Sequence, residues 1–249
     1  MDPHPRADRP HDAARRFCYH RDVHDMLTDV VQWDVANWSA ALDYWAAHAP
    51  LHGTSLDALE IGANSGGLSL WLARAGHRVV CSDLERTREH AAPLIERHGM
   101  LDRVVFEDID ATAIPYENHF DIIVFKSVLG GVGHDGAIER QRAAISSMHA
   151  ALKPGGMLLF AENLTGSAMH RFLRSRYVRW GDRWRYVTID EMRDFLKPFR
   201  NVAFETAGFF GTLGRSESQR RVLAAIDRAG VTTLVPPSWR YLVFGVAVK

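Results

Sequence analysis

Residues Leu59–Gly76 read LEIGANSGGLSLWLARAG, and this stretch decides the fold. A short apolar run ends at Ile61, with Glu60 as its one charge, and marks a strand. Gly62, Gly66 and Gly67 follow, and from Leu68 the apolar positions recur at helical spacing. A strand feeding a glycine-rich turn feeding a helix brings backbone close to a nucleotide-like ligand in α/β proteins. Glycine serves where a side chain would block that approach or where φ is positive. Asn64 stands between the glycines, and asparagine tolerates the left-handed conformation better than most residues. A dinucleotide fingerprint needs glycines at its first, third and sixth positions, and this turn lacks that spacing.

Outward from the turn, strands and helices alternate. Strands are expected at Leu56–Ile61, Arg78–Ser82, Arg103–Phe106, Phe120–Phe125 and Met157–Ala161, with helices at Leu68–Ala75, Arg86–Arg97 and Gly136–Leu152. The last helix is expected to stop at Lys153-Pro154-Gly155-Gly156, a turn no helix crosses. Such alternation means a parallel sheet covered on both faces. Ala13–His48 reads as two Trp-rich helices behind a charged tail. Val202–Thr206 and Tyr241–Val248 read as two further strands, with helices at Ile189–Leu196 and Ser216–Arg228. The expected fold class is α/β: a doubly wound, mostly parallel seven-stranded sheet. Residues 1–50 would form a tail and helical cap, and residues 51–249 a ligand-binding domain with a cap insertion at about 164–187.

Glu60-x-Gly62-x-Asn64-x-Gly66 resembles the first motif of class I S-adenosylmethionine (SAM)-dependent methyltransferases, acidic-x-Gly-x-Gly-x-Gly, and departs from it at Asn64. SAM carries an ammonium and a sulfonium but no phosphate, so a carboxylate such as Glu60 near the loop is useful. Further points of resemblance follow in order over about residues 56–162. Asp83 ends strand 2, with Leu84 beside it; Asp110-Ala111 precedes Ile114-Pro115-Tyr116 and Phe120-Asp121; and Leu152-Lys153-Pro154-Gly155-Gly156 leads into strand 5. The resemblance implies SAM as cofactor, with Asp83 on the ribose hydroxyls and Asp110 and Ala111 on adenine, Asp108 being the alternative. It implies cofactor contacts from Gly62, Asn64, Gly66 and Leu84 as well. A dehydrogenase would also place an acid at position 83.

The acceptor should lie beyond the carboxyl ends of strands 4 and 5. No Asn/Asp-Pro-Pro-aromatic motif follows strand 4, which argues against methylation of nucleobase amino groups. Cys18 and Cys81 are not placed for a nucleophilic cysteine mechanism. Lys126 stands where metal-dependent catechol-type enzymes carry an acid, so no metal is expected. Lys126 could instead hold the SAM carboxylate or an acceptor anion. His134 is the first candidate general base, with Asp135 able to orient it only if the loop folds back. Glu162 and Lys126 are further catalytic candidates. His170–Tyr186 reads HRFLRSRYVRWGDRWRY, six arginines against one aspartate with aromatics between them. Arginine forks suit phosphate or carboxylate, and aromatic faces suit sugar rings. His170, Arg176, Tyr177, Arg179 and Trp180 are the substrate-binding candidates. Arg179–Tyr186 and Lys126–Gly131 also resemble bacterial surface-polysaccharide methyltransferases. The expected activity is methyl transfer to a hydroxyl of a small-molecule or saccharide acceptor, including a lipid-linked glycan at an anionic membrane face. Small-molecule N-methylation, RNA methylation and an inactive SAM-fold binding module stay open.

Composition excludes little more. Lys and Arg number 30, as do Asp and Glu, so bulk charge does not announce a DNA-binding protein. Two cysteines give no disulfide framework or zinc spacing. No apolar run reaches the length of a membrane span, and residues 1–16 do not read as a signal peptide, so cytoplasmic residence is expected.

Overall fold

The computed structural model describes residues 26–177, 183–231 and 234–249. The strands are β1 (Asp57–Ile61), β2 (Arg78–Asp83), β3 (Val104–Asp108), β4 (Phe120–Lys126), β5 (Leu152–Asn163), β6 (Asn201–Ala207) and β7 (Leu242–Val248). They form one sheet in the order β3-β2-β1-β4-β5-β7-β6. The first five are mutually parallel, while β7 runs antiparallel to both β5 and β6. This is the expected seven-stranded, doubly wound sheet. The chain winds one way from β1 to β3 and the other way from β4 to β5, so β1 and β4 flank the switch point where open α/β sheets bind ligands.

Central strands are apolar on both sides because helices cover both faces. Ala58, Ile122, Val124 and Leu159 pack on one face with Trp38 and Trp45 of α1 (Val35–His48) and Leu70 of α2 (Gly67–Arg74). Their neighbours Leu59, Ile123, Phe125 and Phe160 pack on the other, with Ile145 and Met148 of α5 (Ile138–Ala151). Between these helices come α3 (Thr87–Arg97) and the short α4 (Leu129–Val132). After β5 the chain adds α6 (Ala168–Tyr177), α7 (Ile189–Phe195) and α8 (Glu217–Ile226). Thr188 and Glu191 start α7 as a reciprocal capping box.

Two expectations are corrected. Lys153–Gly156 does not form a turn ahead of strand 5. It lies inside β5, whose Leu152 already pairs with Phe120 before the register shifts and Met157 pairs with Ile122. Pro154 and the glycines make a bulge there, which proline and glycine favour. The helix before it is also slightly shorter than expected, because Gly136 belongs to a 3₁₀ turn at His134–Gly136 and Leu152 already pairs in β5.

The N-terminal region is helical over residues 26–31 and then kinks before α1. Gln32 (φ 72°) and Asp34 (φ 47°) are both left-handed, a costly conformation for residues other than glycine. The segment is pinned at several points. Asp29 pairs with Arg97 at 2.6 Å and with His98 at 2.8 Å at the end of α3. Glu217 of α8 accepts from the N–H groups of Asp34 and Val35. The Val30 carbonyl presses on Gly67, where a Cβ would sit 2.2 Å from its oxygen. Gly67→Ala should therefore lower stability in urea denaturation by about 1–3 kcal/mol, the usual cost of overpacking. An unchanged midpoint would show that the segment does not bear on the turn.

Candidate functional site

The residues along the carboxyl edge of β1, β2, β4 and β5 build the site. Gly62 (φ 67°) leaves β1 beside Val128, whose Cγ2 would lie 2.5 Å from a Cβ at position 62. Asn64 takes the left-handed conformation (φ 49°). Its N–H donates to Asp83 Oδ2 at 2.8 Å, and its side-chain amide donates to Gln32 at 3.2 Å. Asp83 Oδ1 accepts from Leu84 N–H at 2.7 Å. The Asp83 carboxylate thus joins the end of β2 to the glycine turn. Leu84 beside it is 64 % exposed, an open apolar face next to the carboxylate.

Beyond β3, Asp110 Oδ1 accepts from Thr112 N–H and Oγ1, both at 2.8 Å, and Oδ2 faces Arg140 at 3.7 Å. The Thr112 bonds hold this carboxyl below its ordinary range. Asp108, the alternative, accepts from Thr87 N–H at the start of α3. Ala111 is buried.

Glu60 requires a correction. Its carboxylate is turned to the start of α2. It is buried and accepts from Leu68 N–H at 3.2 Å and Ser69 N–H at 2.7 Å, the otherwise unpaired donors of the first turn of α2. Glu162 does the same from β5. It is fully buried, with Oε2 accepting from Val128 and Leu129 N–H and Oε1 from Asn163 N–H. Its carboxylate is spent on the backbone that starts α4 rather than offered to an acceptor. Burial pushes each glutamate up to about 7, against their N–H partners and Lys126.

Lys126 ends β4 between them. Its Nζ lies 4.9 Å from the ring of Trp33 and 4.8 Å from that of Trp38, and the two rings meet edge to face at 5.0 Å. Burial brings this lysine down to about 8, opposed by the charges of Glu60, Asp34 and Glu162. Asp34 is buried and accepts from Tyr241 Oη at 2.6 Å and from Asn37 at 2.9 Å. Burial raises it to about 6.

The two candidate histidines each have a partner of their own. His134 is half exposed in its 3₁₀ turn, and the loop does fold back: Asp135, at φ 57°, brings Oδ2 to 2.7 Å from His134 Nδ1. His170 is fully buried, with Nε2 at 2.8 Å from the Phe209 carbonyl and Nδ1 at 3.1 Å from Ser167 N–H. Nδ1 therefore accepts and Nε2 donates, a neutral structural ring. Burial lowers its pKa accordingly. Arg176 and Tyr177 are exposed on α6, and Arg179 and Trp180 lie outside the described residues.

Sequence reasoning missed several partners. Arg174 is buried, donates to the carbonyls of Leu164 and Thr165, and lies 3.9 Å over the Tyr186 ring. Trp184 covers the Gly130–Gly131 backbone, where a Cβ at position 130 would sit 1.6 Å from its Nε1. Arg185 bonds both Gln141 and Glu191. Trp33 and Asp34 were legible only as part of a Trp-rich helical pattern.

A family profile described as a methyltransferase domain matches residues 59–160, the span from β1 to the middle of β5. Over that span the chain is similar to methyltransferase domains. The open Leu84 face, the Asp83 carboxylate and the close-packed glycines offer the apolar face, hydrogen-bond acceptor and close backbone approach that a nucleoside such as that of SAM needs. No curated protein matches the chain. Among solved structures, a Burkholderia thailandensis 1,6-didemethyltoxoflavin-N1-methyltransferase with bound S-adenosylhomocysteine is 20 % identical, with 99 % of this chain and 93 % of that one covered and a TM-score of 0.57. The Haemonchus contortus phosphoethanolamine N-methyltransferase 2 is also 20 % identical, at 85 % coverage of this chain and a TM-score of 0.59; this chain spans 52 % of its length. The [4+2]-cyclase SpnF is 18 % identical, with 83 % and 78 % covered and a TM-score of 0.56. These likenesses show the fold, and a cyclase among them shows that the fold alone does not fix the reaction. None carries the resemblance to polysaccharide enzymes. Among the described residues, no helix is long and apolar enough to cross a membrane.

The raised Glu162 carboxyl has a measurable consequence. Its folded pKa lies above its unfolded one, so between about 4.5 and 7 the native state binds more protons and stability falls as pH rises. In urea denaturation the parent's advantage over Glu162→Gln should be greater at pH 5 than at pH 7.5. An advantage that grows with pH would mean that the three N–H groups keep the carboxylate ionised.

Proposed function

We propose that this methyltransferase domain moves the methyl of SAM to a hydroxyl of a small-molecule acceptor bound over the ends of β4 and β5. The observation that carries the reading is the run of Gly62, Asn64, Asp83 and Asp110 along one sheet edge, with Lys126 one strand away across the switch point. Methyl transfer is an in-line displacement, so the protein must align nucleophile and methyl and provide for the leaving proton. The N-terminal turn at Gln32–Asp34 would close one side of that space, with Trp33 as a partly open aromatic wall.

Two observations weigh against the phosphate-linked saccharide expected from the arginine-aromatic stretch. His170 and Arg174 serve the fold, and three carboxylates, Asp34, Glu60 and Glu162, act on the same space as Lys126. That surplus of acids favours an acceptor without negative charge. It equally supports a second reading, a nitrogen acceptor, the kind of atom named for the Haemonchus N-methyltransferase and the Burkholderia N1-methyltransferase.

Calorimetry should show saturable binding of SAM and of S-adenosylhomocysteine and none of NAD. Asp83→Ala should weaken both by about 1–3 kcal/mol, the range for polar ligand groups left unpaired. Binding of NAD with no response to either SAM species would overturn the reading.

A further inference from the structure

Lys126 is in an unusual position for an ammonium group. It is half-buried, and among the described residues it makes no hydrogen bond and no ion pair. Its neighbours are two indole faces. The charged groups facing it are Glu60 from β1, Glu162 from β5 and Asp34 from the kink before α1, and none comes within ion-pair distance. The oxygens of Glu60 and Glu162 are turned to backbone N–H groups, and those of Asp34 to Tyr241 and Asn37. The carboxylates thus steady the charge from a distance without binding its protons. Three N–H donors are left without a protein acceptor, at the strand end that flanks the ligand crevice.

Accordingly, we propose that Lys126 is the proton acceptor of methyl transfer: its neutral amine meets the acceptor's hydroxyl and takes the proton as the methyl moves. The inference rests on the SAM reading above. The hydroxyl oxygen forms its bond to the methyl carbon; the sulfur–carbon bond breaks with its electron pair staying on sulfur; the hydroxyl proton passes to Nζ. One positive charge leaves sulfur and one appears on nitrogen, so the charge within the site is conserved across the step. Before the step, the sulfonium repels the ammonium form and favours the free amine. Burial already brings the group to about 8, close enough to neutrality for a working base. The flanking indoles then receive the ammonium that forms, through cation–π attraction.

SAM and S-adenosylhomocysteine share their carboxylate, ammonium and nucleoside and differ at the sulfur, so they test the proposal without a known acceptor. The chain's lysines are Lys126, Lys153, Lys197 and Lys249. Lysine carrying ¹³C at Cε would therefore give a spectrum simple enough to follow each residue. Lys126→Arg assigns the signal by its loss. Should that variant not fold, Lys153→Arg/Lys197→Arg/Lys249→Arg leaves Lys126 alone. In the free protein the Lys126 signal should titrate below the ordinary lysine range. With saturating SAM its midpoint should fall below that with saturating S-adenosylhomocysteine by about one pH unit or more, as for a like charge within a few ångströms. Equal midpoints, with both compounds shown to bind by calorimetry, would remove Lys126 from the transfer step and leave the SAM reading standing. Absence of binding by either compound would overturn both.

Discussion

Two buried glutamates fix the carboxyl edge of the sheet, and the site depends on them. Glu60 in β1 gathers the first N–H groups of α2, and Glu162 in β5 gathers those of α4. A helix start leaves such donors unpaired and favours negative charge nearby. Each carboxylate therefore locks the loop that follows a strand: Glu60 its own, Glu162 that of the neighbouring β4. Removing two carboxylates from water is costly, and β4 between them supplies Lys126 as a shared cation. Loop geometry and the protonation of Lys126 are thus parts of one arrangement.

The fold was legible because its signals are local. The period of the apolar residues, the glycine turn and the acids at strand ends are each contained within a few residues, and the sheet they imply is present strand by strand. The Pro154–Gly156 bulge misled, since proline and two glycines read the same way whether they end an element or interrupt a strand. The partners of Glu60 and Glu162 were not legible: the acid of the first motif is visible in sequence, but whether it faces a ligand or a helix start depends on which way the turn closes.

Helix α6 shows why the acceptor region resisted reading. Its buried face carries His170 and Arg174, while Phe172 and Tyr177 are about two-thirds exposed. Burying the polar pair is possible because carbonyls of Leu164, Thr165 and Phe209 receive their protons. Those carbonyls come from outside the helix, from just past the end of β5 and from Phe209 further along the chain, so an arginine-aromatic stretch that reads as a solvent-facing or ligand-facing surface is partly a set of internal struts. The N-terminal kink is similar. Gln32 and Asp34 adopt their left-handed conformations only because Asn64, Glu217 and Tyr241 hold them there.

The contact between Trp184 and the Gly130–Gly131 backbone bears on how this chain can diverge. An indole occupies the volume that any side chain at position 130 would need. Alanine at 130 therefore requires the Trp184 indole to move from its present place, so what one position can carry depends on the other. Descendants of this sequence should vary at the two positions as a pair, and a homologue with a bulky residue at the first should carry a small or absent side chain at the second.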